Sequence, residues 1–194
     1  MRKSTLTLIT ILSFALTSLP SFAGWQLDNK NSLLNFVSVK KGTVAENHHF
    51  SALEGSIDKS GKVSIKVDLT SVDTNIAIRD ERMKTFVFET TEYTSAMFTT
   101  QLDKDLLSNL KVGKSDVKTV TGNLSFHGQN QEVTIEVNVS KINTKTLLVS
   151  TTKPFFIKAD VYGVVAGINK LKELAALPSI DYVVPVNFSV TFRH

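Results

Sequence analysis

Four sets of residues in this 194-residue chain carry side chains able to do chemistry. Asn75, Arg79 and Asp80 place an amide, a guanidinium and a carboxylate within one short stretch. Together they offer hydrogen-bond donors and acceptors to a polar group, and Arg79 with Asp80 equally suits a structural ion pair. His48 and His49, with Glu46 and Asn47 beside them, bring metal-ligand types together. Adjacent side chains on a strand point to opposite faces, so the two imidazoles cannot readily hold one ion. Asp73 and Asp80 could form a carboxylate couple for acid–base work, but nothing sets them apart from solvated loop acids. Serine and threonine are plentiful, yet no Gly-x-Ser-x-Gly elbow and no glycine-rich phosphate cradle surrounds any of them. His127, at a predicted turn, and His194, the last residue, read as solvated. The chain has no cysteine, which excludes thiol catalysis, Cys-ligated zinc and iron–sulfur clusters. The expectation is a protein that is not an enzyme, with no metal and no obligatory cofactor.

The elements that position these residues follow an N-terminal segment of a different kind. Arg2 and Lys3 precede an apolar run from Leu6 to Leu16, and Ser21-Phe22-Ala23 follows Pro20. A basic start, a short apolar stretch and small residues at both peptidase-read positions describe a secretory signal with cleavage after Ala23. The run is shorter than the roughly 20 residues that span a bilayer, and no later stretch is long and apolar enough for a transmembrane helix. The reading is a chain exported to the bacterial periplasm, with residues 1–23 removed and residues 24–194 forming one domain. The formal charge is +4, from 22 basic and 18 acidic residues, and Arg2 and Lys3 account for half of that excess. The remaining cations are scattered rather than clustered on one face, so no nucleic-acid footprint is present. About 170 residues can bury near 70% of their unfolded surface, enough for a core without disulfides.

Period-two alternation dominates the rest. Val63, Ile65, Val67 and Leu69 alternate with polar residues, as do Val120, Gly122, Leu124 and Phe126. The same holds for Val133, Ile135, Val137 and Val139, and for Val184, Val186, Phe188, Val190 and Phe192. Such runs are half-buried strands. Asp58-Lys59-Ser60-Gly61 and His127-Gly128-Gln129-Asn130 are hairpin turns with glycine free to take positive φ. About eight strands at hairpin spacing predict an all-β sandwich or barrel. Two stretches have helical spacing instead: residues 75–92, with a further turn near Thr90–Tyr93, and Ile168–Leu177, which Pro178 ends. Twelve of the sixteen aromatics are phenylalanine, many on apolar strand faces. They either pack a solid core or line a lipid tunnel.

Thr70-Ser71-Val72-Asp73-Thr74-Asn75, then Arg79-Asp80-Glu81-Arg82-Met83-Lys84, Phe86-Val87-Phe88-Glu89-Thr90-Thr91-Glu92-Tyr93 and Met97-Phe98-Thr99-Thr100 stand in an order that resembles the YceI-like family of periplasmic polyisoprenoid-binding proteins. Trp25-Gln26-Leu27-Asp28 with Ser32-Leu33-Leu34-Asn35-Phe36 is similar to that family's opening strand, and Thr121–Gly128 to its Gly-x-Leu-x-x-x-Gly hairpin. The resemblance runs from Trp25 to the last strand. Its Tyr-Pro pair is here Tyr93-Thr94, and its usual leucine after Arg-Asp is Met83. It implies a lipocalin-like antiparallel β-barrel of about eight strands with short helices, enclosing an apolar tunnel. The expected function is a periplasmic carrier for a long isoprenoid or quinone-like lipid. A packed β-domain acting through its surface as an envelope adaptor is the alternative. The expected lipid-binding residues are Phe36, Asn75, Arg79, Asp80, Phe86, Phe98, Leu124, Phe126 and Phe188, with Val67, Leu69, Ile135 and Val190 as further lining. Faces of such barrels often pair, which keeps a homodimer open.

Overall fold

The computed structural model describes residues 24–103 and 105–194, so the export signal read at residues 1–23 lies outside the described residues. Twelve strands run in chain order: β1 (Trp25–Leu27), β2 (Leu33–Lys40), β3 (Val44–Phe50), β4 (Leu53–Ile57), β5 (Lys62–Asp68), β6 (Val72–Asp73), β7 (Ser95–Gln101), β8 (Ser115–Phe126), β9 (Gln129–Asn143), β10 (Thr146–Thr151), β11 (Phe155–Lys158) and β12 (Val183–Arg193). Three helices interrupt them: α1 (Ala77–Phe86), α2 (Asp105–Asn109) and α3 (Val165–Leu174).

Eight strands close an antiparallel barrel in the order β1-β4-β5-β7-β8-β9-β10-β12, with β12 returning to β1 through Gln26↔Arg193 and Leu27↔Phe192. Closure removes the unpaired edges that an open sheet would expose. The first half of β12 leaves the ring to pair with β11 on one side and β2 on the other, and β3 and β6 continue outward from β2. The long β8–β9 hairpin turns on His127 and Gly128, at φ 49° and 72°. That left-handed pair gives a two-residue turn its required twist, and glycine takes it without strain.

Alternation decides which side chains enter the barrel. Along β12, Val186, Val190 and Phe192 are buried, and along β9 so are Ile135, Val137 and Val139. Registers carry the inner face from strand to strand: Phe36 opposes Val186 and His48, and Ile65 opposes Phe98, which opposes Leu124. The β9 residues and Phe98, Val120 and Phe188 form one apolar cluster. A larger one extends from Phe36 and Phe50 through Leu147 to the helices.

The helical boundaries differ from the sequence expectation. The 75–92 stretch condenses to α1, followed by a turn in which Glu92 and Tyr93 both donate to the Glu89 carbonyl. The expected Ile168–Leu177 helix starts at Val165 and stops at Leu174. Ala176 at φ 49° and the Leu177 N–H on the Lys172 carbonyl cap its end before Pro178 is reached. The start is displaced because Gly167 presses α3 against α1: an added Cβ would lie 1.9 Å from the Phe86 carbonyl oxygen. Helix α2 has no counterpart among the elements expected from the sequence.

Candidate ligand-binding cavity

A cavity of about 380 Å³ opens between α1, α3 and the β2–β3 hairpin and runs into the barrel. Its volume lies in the range of about 300–1,000 Å³ of small-molecule sites. The apolar part is built by strand alternation: Leu34 and Phe36 on β2, Phe50 on β3, Leu124 and Phe126 on β8, Phe155 and Ile157 on β11, and Val184 and Val186 on β12. Helix α1 adds Met83, the turn after it Val87 and Phe88, and α3 adds Ile168 and Leu171.

Toward the helices the wall becomes polar, again by period two. Ser38 and Lys40 follow Leu34 and Phe36 on the inner face of β2, and Glu46 and His48 precede Phe50 on β3. Arg79 reaches this group from α1. Its Nη1 donates to Glu46 Oε2 at 2.9 Å, its Nη2 donates to the Thr74 carbonyl at 2.7 Å, and Lys40 Nζ meets the same Glu46 oxygen at 2.8 Å. The lysine hydrogen bond, with the charge of Arg79 behind it, holds the Glu46 carboxyl below the ordinary carboxylate range. His48 is 2% exposed. Burial, reinforced by the Arg79 charge, pushes its imidazole down to about 4, so the ring is neutral at pH 7. Its Nε2 lies 2.8 Å from the Ser38 hydroxyl.

Two buried side-chain polar atoms have no protein partner among the described residues, His48 Nδ1 and Arg79 Nε, and both belong to this group. Burying a polar atom unpaired costs about 1–3 kcal/mol. Two such atoms beside one cavity suit a site completed by the polar end of a ligand.

Of the residues expected from the sequence, Phe36, Arg79, Leu124 and Phe126 border the cavity, as do Val67 and Leu69. Phe98 and Phe188 stand beside bordering residues in register, opposite Leu124 and Leu34, but pack into the β9 cluster, as Ile135 does. Val190 is buried in the larger cluster. Phe86 ends α1, where its backbone abuts Gly167, and it is not part of the cavity wall. Asn75 is an exposed turn residue at φ 60° whose N–H donates to Asp73.

Asp80 does not border the cavity. Its Oδ1 accepts from the Thr74 N–H at 2.8 Å and the Thr74 hydroxyl at 2.5 Å, while Arg79 pairs with Glu46 instead. Thr74 is 2% exposed, so Asp80→Ala strands its buried N–H and leaves its hydroxyl only the Ile76 carbonyl, at 3.3 Å. We expect a loss of about 1–3 kcal/mol in urea unfolding. Asp80→Asn keeps an acceptor and should lose less. Equal stability of Asp80→Ala and the parent chain would refute this role. His48 and His49 face opposite sides of β3: His48 points inward, and His49 Nε2 lies 3.8 Å from Asp73 on the outside. Ser38, Lys40, Glu46, His48 and Arg82 were not expected at the site. The signal for them was the uninterrupted alternation of Leu34-Phe36-Ser38-Lys40 and Glu46-His48-Phe50 through polar residues.

Comparison with known proteins gives this architecture a family. A polyisoprenoid-binding domain from Saccharophagus degradans, implicated in plant cell wall breakdown, is 36% identical and superposes with a TM-score of 0.86, covering 89% of this chain and 99% of that one. BcnA of Burkholderia cenocepacia, at 20% identity and a TM-score of 0.65 over 85% of this chain and 98% of its own, shares the fold. Protein YceI of Shigella flexneri is 36% identical over 80 residues, a match that takes in 40% of this chain and only 37% of that relative's length. The YceI-like domain model matches residues 25–192, and the chain belongs to the YceI-like domain family.

Proposed function

We propose that this protein binds a long isoprenoid or quinone-like lipid, with the chain in the barrel and the polar end at Glu46, His48 and Arg79, and carries it in the periplasm without chemical change. The observation that carries the reading is a phenylalanine-lined cavity that ends in one polar group holding two unpaired buried atoms. An apolar chain gains roughly 25 cal/mol per Å² buried, so the wall supplies affinity and the polar end orientation. The relative from Saccharophagus degradans, described as polyisoprenoid-binding, supports the ligand class. Residues 1–23, read as an export signal, support the compartment. Open volume inside the barrel favours a carrier over a packed domain acting through its surface. Among the described residues, no helix is long and apolar enough to cross a membrane.

Native mass spectrometry of protein purified from its own host tests the reading. A copurifying hydrophobic molecule is expected. Leu124→Trp should fill cavity space and lower the occupied fraction severalfold, with the unfolding midpoint kept. A clean apo mass for the parent chain after mild purification would defeat the proposal.

A further inference from the structure

The cavity mouth has a composition that lipid retention alone does not require. Three elements surround it, and each carries an apolar side chain exposed to water and a cation. Helix α1 offers Ile78, 59% exposed although it borders the cavity, with Arg82 one turn later on the same face. The β2–β3 hairpin offers Val44, 39% exposed and paired with Lys40, beside Lys41 at the turn. Helix α3 offers Leu174, 37% exposed, and carries Lys172 in the same turn. The Lys41 N–H on the Ser179 carbonyl and the Lys40↔Ile180 bridge tie the hairpin to the segment after α3, so the rim is continuous.

The charges at this rim are not balanced locally. Glu46 meets both Lys40 and Arg79, Glu81 meets Lys84 and Glu173 meets Lys170, while Asp80, hydrogen-bonded to Thr74, keeps its charge and offsets the second of the two cations on Glu46. Among the described residues Arg82, Lys41 and Lys172 have no ion-pair partner, and Asp181 is the one rim acid left to oppose them. Isolated exposed apolar residues are ordinary on a protein surface. Here they stand on the three elements around an apolar cavity, together with unpaired cations, which is the pattern of a face that rests at a membrane interface.

We propose that the mouth docks on a bilayer surface containing anionic lipid, with Ile78, Val44 and Leu174 entering the interface and Lys41, Arg82 and Lys172 facing the head groups. The inference rests on the reading of the cavity as a lipid site. An apolar chain crossing water is strongly disfavoured, and a mouth pressed to the bilayer lets it pass without that exposure.

The test is flotation of the cargo-bearing protein with phosphatidylcholine vesicles, with and without about 30 mol % phosphatidylglycerol, at low and at high salt. Binding should need the anionic lipid and fall at least about tenfold between roughly 0.05 and 0.5 M salt, as screened surface charges do. Lys41→Asp with Lys172→Glu, at positions outside the cavity wall, should lower binding at least about tenfold. Asp is chosen at Lys41 because that residue sits at φ 54°, which Asp tolerates. The same cargo should appear in the native mass spectrum of the variant. Binding equally to neutral vesicles, no binding at low salt, or undiminished binding by the double variant would overturn the docking proposal. So would a concentration-dependent dimer that the double variant abolishes, since the rim would then belong to a second copy. Vesicle binding by a chain that never carries cargo would instead defeat the carrier reading.

Discussion

Gly167→Ala is expected to destabilise the protein, although alanine is the better helix former. In an unconstrained helix the exchange would stabilise by about 1 kcal/mol. At this position the new methyl would meet the Phe86 carbonyl oxygen at 1.9 Å and the Val87 Cα at 2.8 Å. Neither neighbour is the free end of a flexible side chain, so α3 must move away from α1. Overpacking of this kind costs about 1–3 kcal/mol, enough to reverse the sign. The melting temperature should drop by about 3–10 °C for a domain of this size. Val164, Ile168 and Leu171, which border the cavity from α3 and its entry, would move with the helix. Loss of copurified cargo should therefore exceed that caused by a destabilising change elsewhere, such as Asp80→Ala. A stabilised Gly167→Ala would show that the two helices are not in close contact.

That contact also marks where the sequence stopped being readable. Strand alternation is local, and it assigned the inward faces of β9 and β12 residue by residue. The His127-Gly128 turn was equally legible, because two-residue hairpins demand positive φ. Whether an inward residue borders open space or packs against its neighbours depends on barrel closure, which joins residues as distant as Gln26 and Arg193. Phe98 and Leu124 illustrate the limit: they face each other across one ladder, and only Leu124 lines the cavity. For α3, the leucines at 171, 174 and 177 and Pro178 suggested a frame three residues too late. A glycine with poor helix propensity lies inside the true frame because packing on α1 outweighs that propensity.

The polar end was hidden for another reason. Arg79 stands out in the sequence as a cation beside Asn75 and Asp80, but its partner Glu46 lies 33 residues earlier, on a hairpin read mainly for its histidines. Pairing Phe36 with His48 and Ser38 with Glu46 puts three polar residues on a face that begins as apolar. Such a crossover reads as an imperfect strand when taken alone. Within the barrel it becomes the wet end of a cavity.

The buried imidazole in that group makes stability depend on pH in a specific window. The His48 imidazole is lowered from 6.5 to about 4, chiefly by burial and then by the Arg79 charge. A folded-state value below the unfolded one means that the unfolded chain binds the proton first. The stability linked to His48 is fully present above pH 6.5 and is lost as pH falls toward 4. The whole difference corresponds to about 3 kcal/mol, and about 2 kcal/mol of it should be gone by pH 5. That is a large share of a typical 5–15 kcal/mol. Glu46, held low by Lys40, has its own loss in a separate window, below the ordinary carboxylate value of 4.5. Urea unfolding at pH 7 and pH 5 should show the parent chain weakening by about 2 kcal/mol more than His48→Asn. The other three histidines are common to both chains, so the difference isolates His48. Equal weakening of the two proteins would mean that the folded state accommodates a charged imidazole beside Arg79, contrary to the geometry of the polar end.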